Sequence, residues 1–447
     1  TEGNPLFVEE IVRMLVDRGL LRFVGDRWEL AARLDDIDVP GSVQAVLSAR
    51  LDGLPDGEKS IAQIAAVVGR VFWARLVADL AGLDVEMAGG HIDSLRAKDL
   101  VVPREPPVIS GTAEFGFRHV LVRDTAYDSL PKRDRARLHR GVADWLEDRM
   151  AERMDEFADR VAGHLEAALG YEVELGDSAG ELHSLREATY GAALRAGRRA
   201  AELELWGQAG RWLRLAFKVA RELGRPLHET TAIAEDFAQA TSYVSSPGEV
   251  ASILRTAVED LAALEGPSDE ERQALAGLRA SLGMARYTGR DIEGALQPLR
   301  EGIAELEGDS PSPGRARLLR VLGWVLLFGS SIDAALPVLE RAREEAGASG
   351  DQQTHRWVLQ DLGVCRSWQG RYREGADLLE ESLRLATAAG DRALVHRSVT
   401  NLLDEAHTNA GDRPVAIVGL AREELDRLRR ANAVTGVTVL AGNLAFC

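Results

Sequence analysis

Three Leu-Gly dipeptides, Leu282-Gly283, Leu322-Gly323 and Leu362-Gly363, stand forty residues apart. A second glycine follows each (Gly289, Gly329, Gly370), then an alanine (Ala295, Ala335, Ala376), then leucines at helical spacing (Leu296/Leu299, Leu336/Leu339, Leu378/Leu379). Each segment reads as a helix, a glycine-marked turn and a second helix. A lone helix pair leaves its apolar stripe uncovered, so consecutive pairs must stack. Gly283, Gly323 and Gly363 are expected where a neighbouring helix comes too close for a side chain. Ala295, Ala335 and Ala376 serve the same end on the second helix, and Leu299, Leu339 and Leu379 fill the groove. The wider series Gly207, Gly248, Gly289, Gly329, Gly370, Gly411 keeps the phase at about 41 residues and predicts an α-solenoid from roughly residue 180 onward. The run Gly308–Gly314 (GDSPSPG) reads as a turn-rich linker between repeats.

Composition narrows the chemistry. The chain has 447 residues, enough for several cores, and Ala, Leu, Arg and Glu dominate, a helix-forming set. Lys59, Lys98, Lys132 and Lys218 are its four lysines, and none follows a glycine, so no Walker phosphate loop lies within it. It has no HExxH pair and no G-x-S-x-G elbow. His119 and His139 lack metal-ligand spacing, so neither a metal site nor a catalytic residue is assigned. The net charge of −17 argues against a broad nucleic-acid surface. Two cysteines, Cys365 and Cys447, leave no disulfide scaffold and fit a reducing cytoplasm. No apolar run reaches the length that crosses a bilayer, so no membrane partner is expected. The start at Thr1 and the apolar end at Cys447 read as a piece of a longer protein.

The N-terminal third alternates elements. Pro5 is a good first helical residue. Phe7, Val8, Ile11, Val12 and Leu15 form one apolar face up to Gly19. Leu20–Leu30 reads as a hairpin around Gly25-Asp26, and a helix follows Ser42 to Gly53. Three helices over Asp56–Val68, Val71–Leu80 and Val85–Leu100 precede two strands, Val101–Ile109 and Glu114–Phe117, and a helix from His119 to Leu130. Three helices followed by a β-hairpin is the winged-helix plan.

The repeats resemble tetratricopeptide repeats, with a period longer than that family's usual one. The stretches GNPLFVEE (3–10), DIDVPGSVQAVLSARLDGLP (36–55) and FGFRHVLVRDTAYDSLPKRDRARLH (115–139) resemble the STAND-type, AAA-related signal-transduction ATPases of bacteria. That resemblance implies an order of effector, P-loop ATPase core, helical lid, winged helix and tetratricopeptide repeats. The last three would account for this chain: a mainly α protein with a helical lid remnant over 1–54, a winged-helix domain over 55–150 and a tetratricopeptide-like α-solenoid over 151–447. The effector implied is a class III adenylate/guanylate cyclase or, in a second branch, a LuxR-type DNA-binding domain.

The resemblance also implies nucleotide contacts. Gly3-Asn4-Pro5 matches a G-x-P lid motif in which the proline packs on adenine, so Gly3 and Pro5 are candidates. His119 stands where related ATPases of apoptosomes and plant resistance proteins place a Met-His-Asp histidine near the β-phosphate of ADP; here the triplet is Arg118-His119-Val120. ATP or ADP would belong to the intact parent, with no tight binding to this piece alone. The expected partners are a protein or peptide on the repeats and the ATPase core and effector. Trp206, Trp212, Trp324, Trp357 and Trp368 are read as inter-repeat core rather than a groove lining. The basic run Arg118–Arg140 is read as a charged seam against the ATPase core or against the first repeats, with Arg123 and Asp124 placed to pair across it. Competing readings are a tetratricopeptide scaffold without a nucleotide switch, and DNA contact through Arg133, Arg135 and Arg137.

Overall fold

A computed structural model describes residues 5–17, 19–24, 27–30, 42–109, 111–176, 178–241, 246–408, 414–430 and 440–441. Gly3, Asn4, Gly25, Asp26, Gly411 and Cys447 lie outside these. The chain divides into two compact units, Thr1–Ala192 and Ala193–Cys447.

In the first unit, α1 (Pro5–Asp17) is followed by an antiparallel hairpin of β1 (Leu21–Val24) and β2 (Arg27–Leu30), with Leu21 opposite Leu30 and Val24 opposite Arg27. Met14 and Leu15 of α1 are buried with Val46 of α2 (Val43–Asp52). Ser42 caps α2: its Oγ accepts the Ala45 amide at 3.2 Å.

Next come α3 (Asp56–Val68), β3 (Val71–Trp73), α4 (Ala74–Ala81), α5 (Val85–Ala97), β4 (Val101–Arg104) and β5 (Glu114–Phe117). The strands form one antiparallel sheet in the order β3-β5-β4. The sequence pattern over Val71–Leu80 predicts a single helix; its first three residues instead form a strand. The reason is local. Gly69 takes φ 142° and turns the chain, and Phe72 then packs on Phe115 and Phe117 of β5, with ring centroids 5.9 and 5.6 Å away. A β-branched residue followed by two aromatics suits a pleated surface better than a helix start. Beneath the sheet edge, buried Glu114 accepts from the Trp73 indole at 3.0 Å and from the Val108 amide at 2.9 Å. Strand β4 stops at Arg104, short of the expected Ile109.

The unit closes with α6 (Val120–Asp128), α7 (Lys132–Arg149) and α8 (Met154–Leu175), and α9 (Ala179–Glu202) runs on into the second unit. Helices α7 and α8 pack closely along their length.

The second unit continues with α10 (Trp206–Glu222), α11 (Leu227–Thr241), α12 (Pro247–Ala262), α13 (Asp269–Thr288), α14 (Ile292–Glu305) and α15 (Pro313–Gly329). It ends with α16 (Ile332–Ser349), α17 (Gln352–Trp368), α18 (Tyr372–Ala389), α19 (Arg392–Thr408) and α20 (Pro414–Arg430). These are tandem pairs, α9/α10 through α19/α20. Gly207, Gly248, Gly289, Gly329 and Gly370 all fall at the turn inside a pair, as the period requires. The first helices of successive pairs also pack on each other, α11 on α13, α13 on α15 and α15 on α17. They therefore line the tighter, inner side. The protein is a mainly α, tetratricopeptide-like solenoid over this region.

The role expected of the Leu-Gly glycines is seen directly. A methyl group on Gly283 would sit 2.8 Å from Leu299, on Gly323 2.5 Å from Leu339, and on Gly363 2.8 Å from Leu379. Each leucine lies sixteen residues on and is buried. Gly197 and Leu213 make the same contact at 2.8 Å, a fourth copy that carries no Leu-Gly pair.

Candidate functional site: the His119 junction and the inner face of the repeats

His119 is the residue before α6, extended at φ −127° and ψ 142°, and its side chain does not cap the helix. Its Nε2 is buried and has no hydrogen-bond partner among the described residues. Beside it, Val120 and Leu121 are exposed. A buried ring nitrogen without a partner is costly, and the start of a helix carries partial positive charge. The position is thus suited to an anionic oxygen.

Pro5 opens α1, as expected; Gly3 lies outside the described residues. A rail of charges joins α1 to the His119 segment. Arg13 donates to Glu9 at 2.7 Å one turn earlier and pairs with Asp99. Asp99 in turn accepts from Arg118, next to His119, at 2.6 Å. Asp99 holds the left-handed conformation, φ 60°, in the tight turn between α5 and β4. A non-glycine residue there is uncommon, and here it turns one carboxylate toward two arginines. Sequence reasoning passed over Asp99, because an acidic residue near a turn carries no signal of its own.

The motif over 115–139 is consumed largely inside the first unit. Arg123 donates to the Ala66 carbonyl at 2.9 Å, and pairs with the adjacent Asp124 at 3.0 Å. Arg123 and Arg135 lie over the Tyr127 ring, 4.8 and 4.7 Å from its centroid. Arg135 also donates to the Leu130 and Asp128 carbonyls at 2.9 and 2.8 Å, and Lys132 reaches Glu174 of α8 at 2.9 Å. These cations turn inward, tying α6 and α7 to α3 and α8, instead of presenting the expected outward seam, and Arg123 pairs with its own neighbour Asp124 rather than across one.

At its centre lies a hydrogen-bond chain with one consistent direction. Arg135 Nη1 donates to the Tyr171 hydroxyl at 3.3 Å; the Tyr171 and Tyr127 hydroxyls are 3.0 Å apart; the Tyr127 hydroxyl meets His139 Nε2 at 2.8 Å. His139 Nδ1 meets His164 Nδ1 at 2.8 Å, and His164 also bonds to the backbone of Val68. A bond to the Val68 carbonyl assigns the His164 proton to Nε2, leaving its Nδ1 as the acceptor. His139 must then carry its proton on Nδ1 and accept from Tyr127 at Nε2. Burial, with Arg123 and Arg135 nearby, lowers the His139 pKa to about 4. Burial, with His139, Arg160 and Arg123 nearby, lowers that of His164 to about 3. His139 belongs to the motif; nothing in the sequence singled out His164.

On the inner side of the repeats, aromatic and cationic side chains interleave. The Arg397 guanidinium of α19 lies 3.6 Å from the Trp324 ring centroid and 5.5 Å from that of Trp357. Arg320 lies over Trp357 at 5.1 Å and pairs with Asp361 at 3.1 Å. Asp361 is wholly buried, and its Oδ1 has no hydrogen-bond partner. Burial raises its carboxyl pKa against the pull of Arg320 and Arg397. Arg317 reaches past one whole pair to Glu235 of α11 at 3.3 Å, over Gly277, where a methyl group would stand 2.7 Å from Glu235.

Of the five tryptophans, Trp212 and Trp324 are core, as expected, and Trp206 and Trp357 are partly buried. Trp368 is not: it is 53% exposed. It meets Phe328 edge-on at 5.0 Å, and Ile292, Phe328 and Tyr372 are exposed on the same turn edge of neighbouring pairs. No described helix is long and apolar enough to cross a membrane.

No protein-family model matches the sequence, and a search of curated proteins finds no match. Solved structures of helical-repeat proteins resemble the fold at low identity. A Signal Transduction ATPase with Numerous Domains (STAND) protein with a tetratricopeptide repeat sensor, from Pyrococcus horikoshii, is 12% identical with a TM-score of 0.37. The match covers 99% of this chain and 64% of that one, so this chain spans under two thirds of that protein's length. The apo form of RapI is 12% identical with a TM-score of 0.41, covering 70% of this chain and 98% of that one. The apo form of the quorum sensor NprR from B. thuringiensis is 11% identical with a TM-score of 0.39, covering 86% and 92%.

Proposed function

We propose that this chain is the regulatory and protein-interaction portion of a nucleotide-switched signal-transduction ATPase of the STAND type. In this reading residues 1–54 are the lid remnant, 55–150 the winged-helix clamp and 151–447 the repeats, which bind a protein or peptide. The observation that carries the reading is the unpartnered Nε2 of His119, joined through Arg118, Asp99 and Arg13 to the helix that Pro5 opens. ADP bound by the parent would supply the anionic oxygens that this nitrogen lacks. His119 would hold the β-phosphate by donating from Nε2, and Pro5 would pack on adenine. The Arg13–Asp99–Arg118 rail keeps both on one body, so a shift of the clamp would withdraw them together. A ligand on the repeats acts only so far as it binds the two clamp positions unequally. The output would be a cyclase-type effector, with a LuxR-type domain as its alternative.

The test is nucleotide retention. The intact parent protein, purified natively, should hold ADP, and His119→Ala should release most of it and raise basal effector output. Equal ADP content in a folded His119→Ala protein overturns the clamp.

A second reading is a scaffold whose repeats bind partners with no switch. The exposed edge of Ile292, Phe328, Trp368 and Tyr372 favours it, because contiguous apolar side chains at a surface mark interaction sites. A parent gene without a phosphate loop before Thr1 would select this reading.

A further inference from the structure

The two ends of the repeat array touch. Glu204 lies in the turn between α9 and α10, the first pair. Its carboxylate takes Arg392, the first residue of α19, and Arg427 near the end of α20 at 2.7 Å. Those partners are 188 and 223 residues away in sequence. Glu204 is mostly covered, at 12% exposure. Arg427 is held in turn by Glu424 at 2.6 Å, and Glu424 faces His396 at 3.5 Å.

The backbone turns Glu204 out of its helix. Glu204 is left-handed, φ 58°. The matching middle residues of the α13/α14 and α17/α18 turns, Arg290 at φ 65° and Gly370 at φ 79°, share the conformation, so it belongs to these turns in general. The first pair carries a glutamate there instead, and its side chain is the one that reaches the last pair.

The edges involved give the geometry. Glu204 stands on the edge of the array where turns lie inside pairs. Arg392 and Arg427 stand on the opposite edge, where first helices begin and second helices end. A flat ring would align like edges. Opposite edges meet when the array has gone once around and risen by the height of one pair. The Arg317–Glu235 contact, which skips a pair, shows the same tight winding on the inner side.

We infer that Glu204 is the catch of an ionic clasp that closes the array into one complete superhelical turn. While it is shut, the inner face carrying Trp324, Trp357 and Arg397 is reached only along the axis of the turn. Opening the clasp frees that face sideways. This stands on geometry alone and does not depend on the nucleotide reading.

Small-angle scattering of the full chain at low salt tests it. Glu204→Arg is expected to lengthen the maximum dimension by about 10 Å or more, one helix diameter. Charge exchange, Glu204→Arg with Arg392→Glu and Arg427→Glu, is expected to restore the wild-type curve. Circular dichroism checks that helix content is unchanged. Coincident curves for wild type and Glu204→Arg overturn the clasp. So does a lengthened Glu204→Arg protein that the exchange fails to shorten.

Discussion

His139 and His164 face each other through their Nδ1 atoms at 2.8 Å, and only one proton fits between them. The contact joins α7 to α8 while His164 Nδ1 stays an acceptor, and charging His139 at Nε2 would break its bond from Tyr127 instead. A proton on His164 Nδ1 would set two donors head to head in a buried site.

The pH dependence follows from that contact. Both folded-state pKa values lie below the ordinary histidine value, at about 4 and about 3. Between that ordinary value and about 4 the unfolded chain binds protons that the folded one refuses. The contribution is therefore full above about pH 6.5 and falls as pH drops toward 4, by on the order of 3 kcal/mol for each histidine. Thermal midpoints of wild type should decline through that window. His139→Phe with His164→Leu should flatten the decline. A slope unchanged in the double variant would refute the assignment.

Gly323→Ala is expected to destabilise the repeats. Its new methyl would meet Leu339 Cδ2 at 2.5 Å and Cγ at 2.6 Å, and Leu339 has no exposed surface to move into. Overpacking costs about 1–3 kcal/mol, against about 1 kcal/mol recovered from helix propensity. Gly323→Ala should cost less in a Leu339→Ala background than in wild type. Equal costs in the two backgrounds, measured by urea denaturation, would mean the pair is not coupled.

Asp361 carries the opposite sign. Its pKa is raised by burial, so its contribution is fullest below the ordinary aspartate value and is lost as pH rises through the folded one. Asp361→Asn removes that loss. The midpoint of Asp361→Asn minus that of wild type should therefore grow as pH rises from about 4. A difference that stays flat with pH would show that Arg320 fully compensates the buried charge.

Cys365 is buried, and burial pushes its thiol pKa up to about 12. The thiolate is the reactive form, so Cys365 should resist alkylation in the native protein and react once denatured. Mass spectrometry of the peptide containing it reads the result. Modification at native pH without unfolding would contradict the packing.

The repeat array was legible because its signal is covalently periodic: glycines at fixed phase, each with its leucine sixteen residues on. The fourth copy, Gly197 and Leu213, was hidden because its alanine-rich surroundings lack the Leu-Gly pair. Strand β3 was missed because Val71-Phe72-Trp73 runs straight into a helical pattern, and the sheet partner that claims it lies more than forty residues away. His164 and Glu204 were invisible for a related reason. Each owes its role to side chains brought close by packing, and no local spacing records that. The motif at 115–139 is spent mostly on packing within the first unit. Arg123 and Arg135 serve the fold around Tyr127, and among the described residues the buried Nε2 of His119 has no hydrogen-bond partner.

The Gly-Leu contacts also bear on how such a chain can change its length. Four times the lock spans sixteen residues across the turn inside a pair, at Gly197/Leu213, Gly283/Leu299, Gly323/Leu339 and Gly363/Leu379. The step from one lock to the next is forty residues twice, yet two steps separate Gly197 from Gly283 by eighty-six. The four locks therefore share one internal length, while the spacing between them varies. One residue gained inside a lock would rotate the second helix by about 100° and carry its leucine off the glycine. Gene duplication can multiply such a unit freely, but only the stretches between locks are open to drift in length.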